Sequence, residues 1–278
     1  MKASYRSVWI SDVHLCTRDC QADQLYNFLG SIQCDHLYLV GDIIDVEALR
    51  KRWMWPSLYN EVVHKLLKRA RREAKVVFIP GNHDDFFRSF VGYHFGDIEI
   101  RKRATHATAD GRRFLVVHGD EFDAVVMYHQ WISHLGTWAY GYLTLLNRVV
   151  NRVRRWLGWP YWSMSGAIKR KVKHAVKFVN NFEKTLVNEA KRAGVDGVIC
   201  GHVHQPAMHD LDGVLYCNSG DWVENCTAIV EHENGKLEIL WWHREVGKRA
   251  EQTPQEILAS HPETVDTQEQ VYQPVGAR

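Results

Sequence analysis

The sequence predicts an α/β fold in which two packed, mixed β-sheets are flanked by helices, an αββα sandwich carrying a helical cap insertion. Three observations predict it. Short apolar runs alternate with amphipathic helical stretches in the first part of the chain. Apolar runs separated by turn residues, with no helical pattern between them, follow near its end. A long basic, tryptophan-rich stretch interrupts the series between them.

The elements follow in order. Val8–Ile10 reads as a strand ending at Ser11-Asp12. Asp23–Ile32 has Leu25, Phe28, Leu29 and Ile32 on one face, the spacing of a half-buried helix. His36–Val40 is a strand closed by Gly41, and Ser57–Arg72 has helical spacing through Leu58, Val62, Leu66 and Leu67 with a basic outer face. Lys75–Ile79 is a strand stopped by Pro80-Gly81, and Asp97–Arg101 is a weaker strand candidate. Arg113–Val117 follows the Asp110-Gly111 turn, the signature of a hairpin. Asp196–Cys200 is the next strand. Val214–Cys217, Thr227–Val230 and Leu237–Trp242 complete the set, with a turn at Asn234-Gly235. These assignments give a core over residues 1–122 and 184–249, a helical cap over 123–183 and a polar tail over 250–278.

Composition narrows the class. The 278 residues are 45% hydrophobic and 24% charged, enough for a sizeable core and ordinary for a water-soluble chain. The net charge of +2 excludes a polycation. The N-terminus enters its first strand almost at once, so no signal peptide is expected. No stretch reads as a membrane span, and the expected location is the cytoplasm. The six cysteines contain no Cys-x-x-Cys pair and read as reduced thiols.

The strand ends carry the chemistry. Asp12-Val13-His14, Gly41-Asp42, Gly81-Asn82-His83-Asp84, His118-Gly119-Asp120 and Gly201-His202-Val203-His204 each follow an apolar run. All but the first contain or adjoin a Gly or Pro that permits a tight loop. Loops on one rim of a sheet can bring these side chains to one point. Carboxylate and amide oxygens suit hard divalent cations, and imidazole tunes a site toward Mn, Fe or Zn. A carboxylate can bridge two such cations, which activate water for attack on a phosphate ester. Two divalent metals are therefore expected, Mn²⁺ foremost.

This ordered series resembles the calcineurin-like metallophosphoesterases over roughly Ser7 to His204. The resemblance implies that Asp12, His14, Asp42 and His204 hold one metal. It implies that Asp42, Asn82, His118 and His202 hold the other, with Asp42 bridging. By the same resemblance His83 sits over the phosphate as a catalytic residue, and Asp84 orients it. Asn82, His83 and His202 are the implied substrate contacts. Asp45 and Asp120 are open between supporting these ligands and capping their loops.

Within that superfamily the chain is similar to the UDP-2,3-diacylglucosamine hydrolases of lipid A biosynthesis. Its length, its short entry into Ser11-Asp12-Val13-His14-Leu15, the insertion after His118-Gly119-Asp120 and the segment Asn218-Ser219-Gly220-Asp221-Trp222 carry that likeness. It implies cleavage of a nucleotide-linked lipid to UMP and a lipid monophosphate. The chain departs from that group at His83, where the group has Arg, and at Cys16, where Gly is common. It also has Val125-Val126 where a carboxylate is usual.

The insertion has no Asp or Glu between Asp123 and Glu183, while Arg148, Arg152, Arg154, Arg155, Lys169 and their neighbours make it basic. It holds Trp131, Trp138, Trp156, Trp159 and Trp162. Tryptophans at helical spacing fit a core, and a basic run fits a solvated face. The complete lack of carboxylates also fits an acyl groove with peripheral contact to the inner membrane. A nuclease or other phosphodiesterase of the same fold is the alternative; nucleic acid is not the expected partner.

Overall fold

The computed structural model describes residues 2–125, 179 and 181–245. Strand β1 (Ala3–Ile10) and strand β2 (Ile32–Val40) lie parallel, and β3 (Lys75–Ile79) continues the parallel run beside β2. Helix α1 (Ala22–Ser31) crosses from β1 to β2, and α2 (Val46–Lys51) and α3 (Ser57–Arg72) lie between β2 and β3. The short strands β4 (His94–Phe95) and β5 (Ile98–Ile100) form the edge beyond β3. Strands β6 (Ala104–Ala107) and β7 (Arg113–Val116) form the hairpin announced by Asp110-Gly111, with Gly111 at φ 89°. After them come β8 (Gly197–Cys200), β9 (Ala207–Leu211) and β10 (Val214–Asn218). Strands β11 (Thr227–Glu231) and β12 (Leu237–Trp241) come last.

Two mixed sheets result. One has the order β12-β11-β1-β2-β3-β5-β4, the other β6-β7-β8-β10-β9. Between them lies a core in which Trp9, Tyr38, Val40, Val77 and Ile79 of the first sheet share a cluster with Phe114, Val116, Ile199 and Cys217 of the second. The outer face of the second sheet packs Leu115, Val198 and Tyr216 against Phe182, Leu186, Val187 and Ala190 of helix α4 (residues 181–192). On the other side α1 buries Leu25, Phe28 and Leu29, and α3 buries Tyr59, Val62 and Leu66. Each such apolar side chain stabilises the sandwich by about 1.5–3 kcal/mol. The αββα layering is as the sequence predicts.

Several boundaries differ for physical reasons. Strand β1 begins at Ala3 rather than Val8, because Ala3 and Ser4 pair with Ile32 and Gln33 of β2. Ile32 continues the apolar face of α1 in sequence, yet its backbone is extended (φ −117°, ψ 162°) and opens β2. The Arg69 guanidinium ends α1 by donating to the Leu29 and Ile32 carbonyls. Helix α2 and strands β4, β6 and β9 lack a strong apolar period and are additions to the sequence reading. No disulfide joins the six cysteines.

The parallel strands β1, β2 and β3 point their carboxyl ends the same way, as do β7, β8 and β10 of the second sheet. Active groups gather at that rim in open α/β sheets. The chain divides into two compact units, Met1–Trp241 and Trp242–Arg278. The expected cap and polar tail lie, except for short flanking stretches of the cap, outside the described residues. Among the described residues no helix is long and apolar enough to cross a membrane.

Candidate metal centre

Backbone hydrogen bonds lash the loops of the rim together before any side chain is considered. Asp12 N–H donates to the Gly41 carbonyl at 3.0 Å, and Val13 and His14 N–H both donate to the Asp42 carbonyl at 2.9 and 2.8 Å. Gly201 N–H donates to the His118 carbonyl, and Trp222 N–H to that of Asp12. Making these bonds while turning side chains inward puts Asp12, His14, Asp42, His202 and His204 in the left-handed region, at φ 51–71°. That conformation is strained for residues with a Cβ and clusters at functional sites.

Two groups of ligand atoms face one another across Asp42. In the first, His14 Nε2 lies 3.3 Å from His204 Nε2, and His204 Nε2 lies 3.3 Å from Asp12 Oδ1. In the second, His118 Nε2 lies 3.3 Å from Asp42 Oδ2, with His202 in the same cluster. Asp42 Oδ2 is also 3.9 Å from His14 Nε2, so one carboxylate touches both groups. Asp12, Asp42 and His118 are at most 2% exposed.

These donors suit divalent cations. His118 Nδ1 donates to the Val40 carbonyl at 2.8 Å, which leaves Nε2 as the nitrogen that would ligate once its proton is released. That Nε2 and Asp12 Oδ1 are buried without a hydrogen-bond partner. Two imidazole nitrogens 3.3 Å apart are better served by a shared cation than by each other. Space for the cluster depends on glycine: a Cβ on Gly81 would lie 2.2 Å from Asp42 Oδ1, and one on Gly201 would lie 2.4 Å from Asp12 Oδ2.

A family model for the calcineurin-like phosphoesterases matches residues 5–206. The chain belongs to that family. Its relatives include a UDP-2,3-diacylglucosamine hydrolase of a Shewanella species, 25% identical over 239 residues that cover 81% of this chain and 92% of the relative. The hydrolase of the same name from Blochmanniella pennsylvanica is 23% identical, covering 73% and 81% of the two chains. The DNA polymerase II small subunit of Methanothermobacter thermautotrophicus is 27% identical over 159 residues, 45% of this chain and 33% of its own.

Carboxylates behind the ligands of this phosphoesterase set their orientation. Asp45 Oδ2 lies 3.4 Å from His14 Nδ1 and 2.9 Å from His83 Nδ1. The second approach is close but poorly aligned as a hydrogen bond. Asp221 Oδ2 lies 3.8 Å from His204 Nδ1. Its other oxygen accepts from the Val223, Glu224 and Asn225 N–H groups. Asp84 does not take the role expected of it. Its Oδ1 accepts from Gly81 N–H at 2.6 Å and its Oδ2 from Ile43 N–H at 2.8 Å. It pins the loop after β3 to the loop after β2, and Asp45 is the carboxylate beside His83.

The charges follow from this packing. Burial raises the Asp42 carboxyl, but the imidazoles of His118, His14 and His83 outweigh it and hold it well below the usual range. The Asp45 carboxylate lifts His83 to about 8, against its partial burial. Burial, then the Asp42 charge, raises Asp84 to about 6.

Asn82 stands on the loop after β3 with an exposed side chain that makes no hydrogen bond among the described residues. His83 is two-thirds covered and edges onto His14, ring centroids 4.7 Å apart. Sequence reading left Asp45 open and gave Asp221 no role. The signal for Asp221 was the Gly220-Asp221-Trp222 segment at the end of β10.

Proposed function

We propose that this metal-dependent phosphohydrolase acts on UDP-2,3-diacylglucosamine, releasing UMP and 2,3-diacylglucosamine 1-phosphate. The single observation that carries the substrate is the relation to hydrolases of that name along 92% and 81% of their length. The site supplies a fitting apparatus. Asp12, His14 and His204 with Asp42 would hold one divalent cation, and Asp42, His118, His202 and Asn82 the second. Bound there, the cations would neutralise phosphate charge and make water nucleophilic at neutral pH. Mn²⁺ is the proposed metal.

Asp42 sits between the two ligand groups and would keep the cations at a fixed separation. His83, carrying a proton at neutral pH, would donate to the phosphoryl group or the leaving oxygen. Asp45 holds the imidazole in place and stabilises its charge. The insertion is proposed to meet the acyl chains and the cytoplasmic face of the inner membrane.

The test is side-by-side turnover of UDP-2,3-diacylglucosamine, a plain dinucleotide and bis-p-nitrophenyl phosphate. Preference for the first supports the assignment, and comparable rates on all three reject it. A second reading, cleavage of nucleic acid, is favoured by the relation to the archaeal polymerase subunit. Cleavage of oligonucleotides with a steep salt dependence would support it. For either substrate, EDTA is expected to abolish turnover and Mn²⁺ to restore it; full activity in metal-free protein would overturn the reaction class.

A further inference from the structure

A cavity of about 340 Å³ beside the second half of the metal centre is lined by His118, Pro80, Arg88 and Lys102 together with the carboxylates Asp120 and Glu121. Arg88 bridges the two loops that flank it. Its Nη2 donates to Asp120 Oδ2 at 2.6 Å and to the Pro80 carbonyl at 3.3 Å. Pro80 precedes the Gly81 whose backbone makes room for Asp42 and His118, and Asp120 lies two residues past His118. The guanidinium is thus tied to the loops that carry this half of the centre.

A guanidinium has five N–H donors in a rigid fork. Both bonds of Arg88 use Nη2, so among the described residues Nε and Nη1 donate to nothing. Lys102, paired with Glu121 at 3.3 Å, adds a second cation to the lining. An N–H edge unpaired among the described residues, tied in place through Nη2 and set in a cavity that reaches a metal ligand, is suited to meet an oxyanion. Resting on the phosphohydrolase reading above, we propose that Arg88 is a substrate-binding residue. Its Nε–Nη1 edge takes a second anionic group of the substrate, phosphoryl or carboxyl, adjoining the phosphorus under attack. Asp120 is its positioning residue, spending one side of the fork to aim the other.

The proposal separates substrates by charge. Metal-loaded wild-type and Arg88→Gln proteins are compared on bis-p-nitrophenyl phosphate, which has no second anion. They are compared too on P1,P2-diphenyl diphosphate, with a second phosphoryl group, and on phenyl 4-carboxyphenyl phosphate, with a carboxylate. The substitution is expected to lower kcat/KM by about tenfold or more on one or both doubly anionic substrates, mostly through KM, and less than about twofold on the first. The substrate that suffers identifies the anion. Calorimetric binding of P1,P2-diphenyl diphosphate is expected to weaken by a similar factor, a readout that needs no turnover. Asp120→Asn should show the same selectivity in smaller measure. An equal loss on all three substrates would make Arg88 a mere tie between loops and overturn the proposal. Unchanged kinetics and binding would do the same. Wild-type protein that hydrolyses none of the three yet binds the diphosphate through Arg88 would support this proposal, while the phosphohydrolase reading stands or falls on turnover of UDP-2,3-diacylglucosamine and on the EDTA test.

Discussion

Asp45, on the loop after β2, and Asp84, on the loop after β3, do different work. Asp45 faces two imidazoles, whereas Asp84 faces backbone N–H groups. Asp45→Asn is therefore expected to lower turnover about 10–100-fold while the fold survives, because imidazole orientation and charge are lost. Rate measurements with circular dichroism on the same sample check it. Asp84→Ala should instead lower the melting temperature and loosen both loops, since it strands buried donors. His118 gives a pH prediction. Burial lowers its imidazole, but the Asp42 charge raises it further, to about 10. A protonated imidazole cannot ligate a cation, so metal uptake must release protons. Metal affinity is expected to strengthen from pH 6 to pH 8. An affinity flat across that range in calorimetry would contradict the arrangement. The ligands themselves were legible in the sequence, because each group stands at the end of an apolar run and all but Asp12 and His14 have Gly or Pro close by. The task of Asp84 was not. Its partners, the N–H groups of Ile43 and Gly81, belong to backbone that no residue pattern marks.

At the level of elements, the long strands and helices α1 and α3 were readable from periodicity. Strands β6 and β9 were not. Ala104–Ala107 and Ala207–Leu211 contain few β-branched residues and form because β7 and β10 offer them an edge. A buried polar knot at the opposite end of the sandwich was equally hidden. It joins β1, β6 and β11. Glu231 accepts from Ser7 Oγ at 2.6 Å and Arg6 Nη1 at 2.6 Å, and lies 2.8 Å from His106 Nε2. Tyr38 Oη adds a contact to His106 Nδ1 at 3.1 Å. Burial raises the Glu231 carboxyl, but these partners outweigh it and bring it down from 4.5 to about 2. A carboxyl lowered by folding stabilises the protein above its unfolded value. That contribution is present above pH 4.5 and is lost as pH falls toward 2. Glu231→Gln should flatten this acid limb in denaturation curves. Glu231→Ala should cost about 3 kcal/mol at neutral pH, because Arg6 loses its counter-charge and Ser7 and His106 lose a buried partner.

For the whole molecule, the centre draws its ligands from loops that follow β1, β2, β3, β7 and β8, so it spans both sheets. A cation bound there clamps the two layers together and binds only the folded chain. Metal at a hundredfold excess over its dissociation constant is expected to add about 2.7 kcal/mol to stability. Differential scanning calorimetry with and without EDTA measures this directly. No change in melting temperature would mean that the cations are not held between the sheets. Layering of this kind was legible from the order of elements alone. The partner strands at the edges were not, because pairing across a sheet is decided by geometry rather than by local pattern.

The backbone twist at the ligand loops has one more consequence. Asp12, His14, Asp42, His202 and His204 occupy torsion angles that glycine would adopt at ease. Torsion alone would favour glycine at all five places, although Asp12 and Asp42 also accept the His202 and His83 N–H groups. His204→Gly and His204→Ala both delete the imidazole, yet the glycine variant should melt higher, by about 1 kcal/mol of torsional relief. Reactivity and heat tolerance therefore pull His14, His202 and His204 in opposite directions. A descendant freed from its chemistry would have a ready route to a sturdier, silent protein.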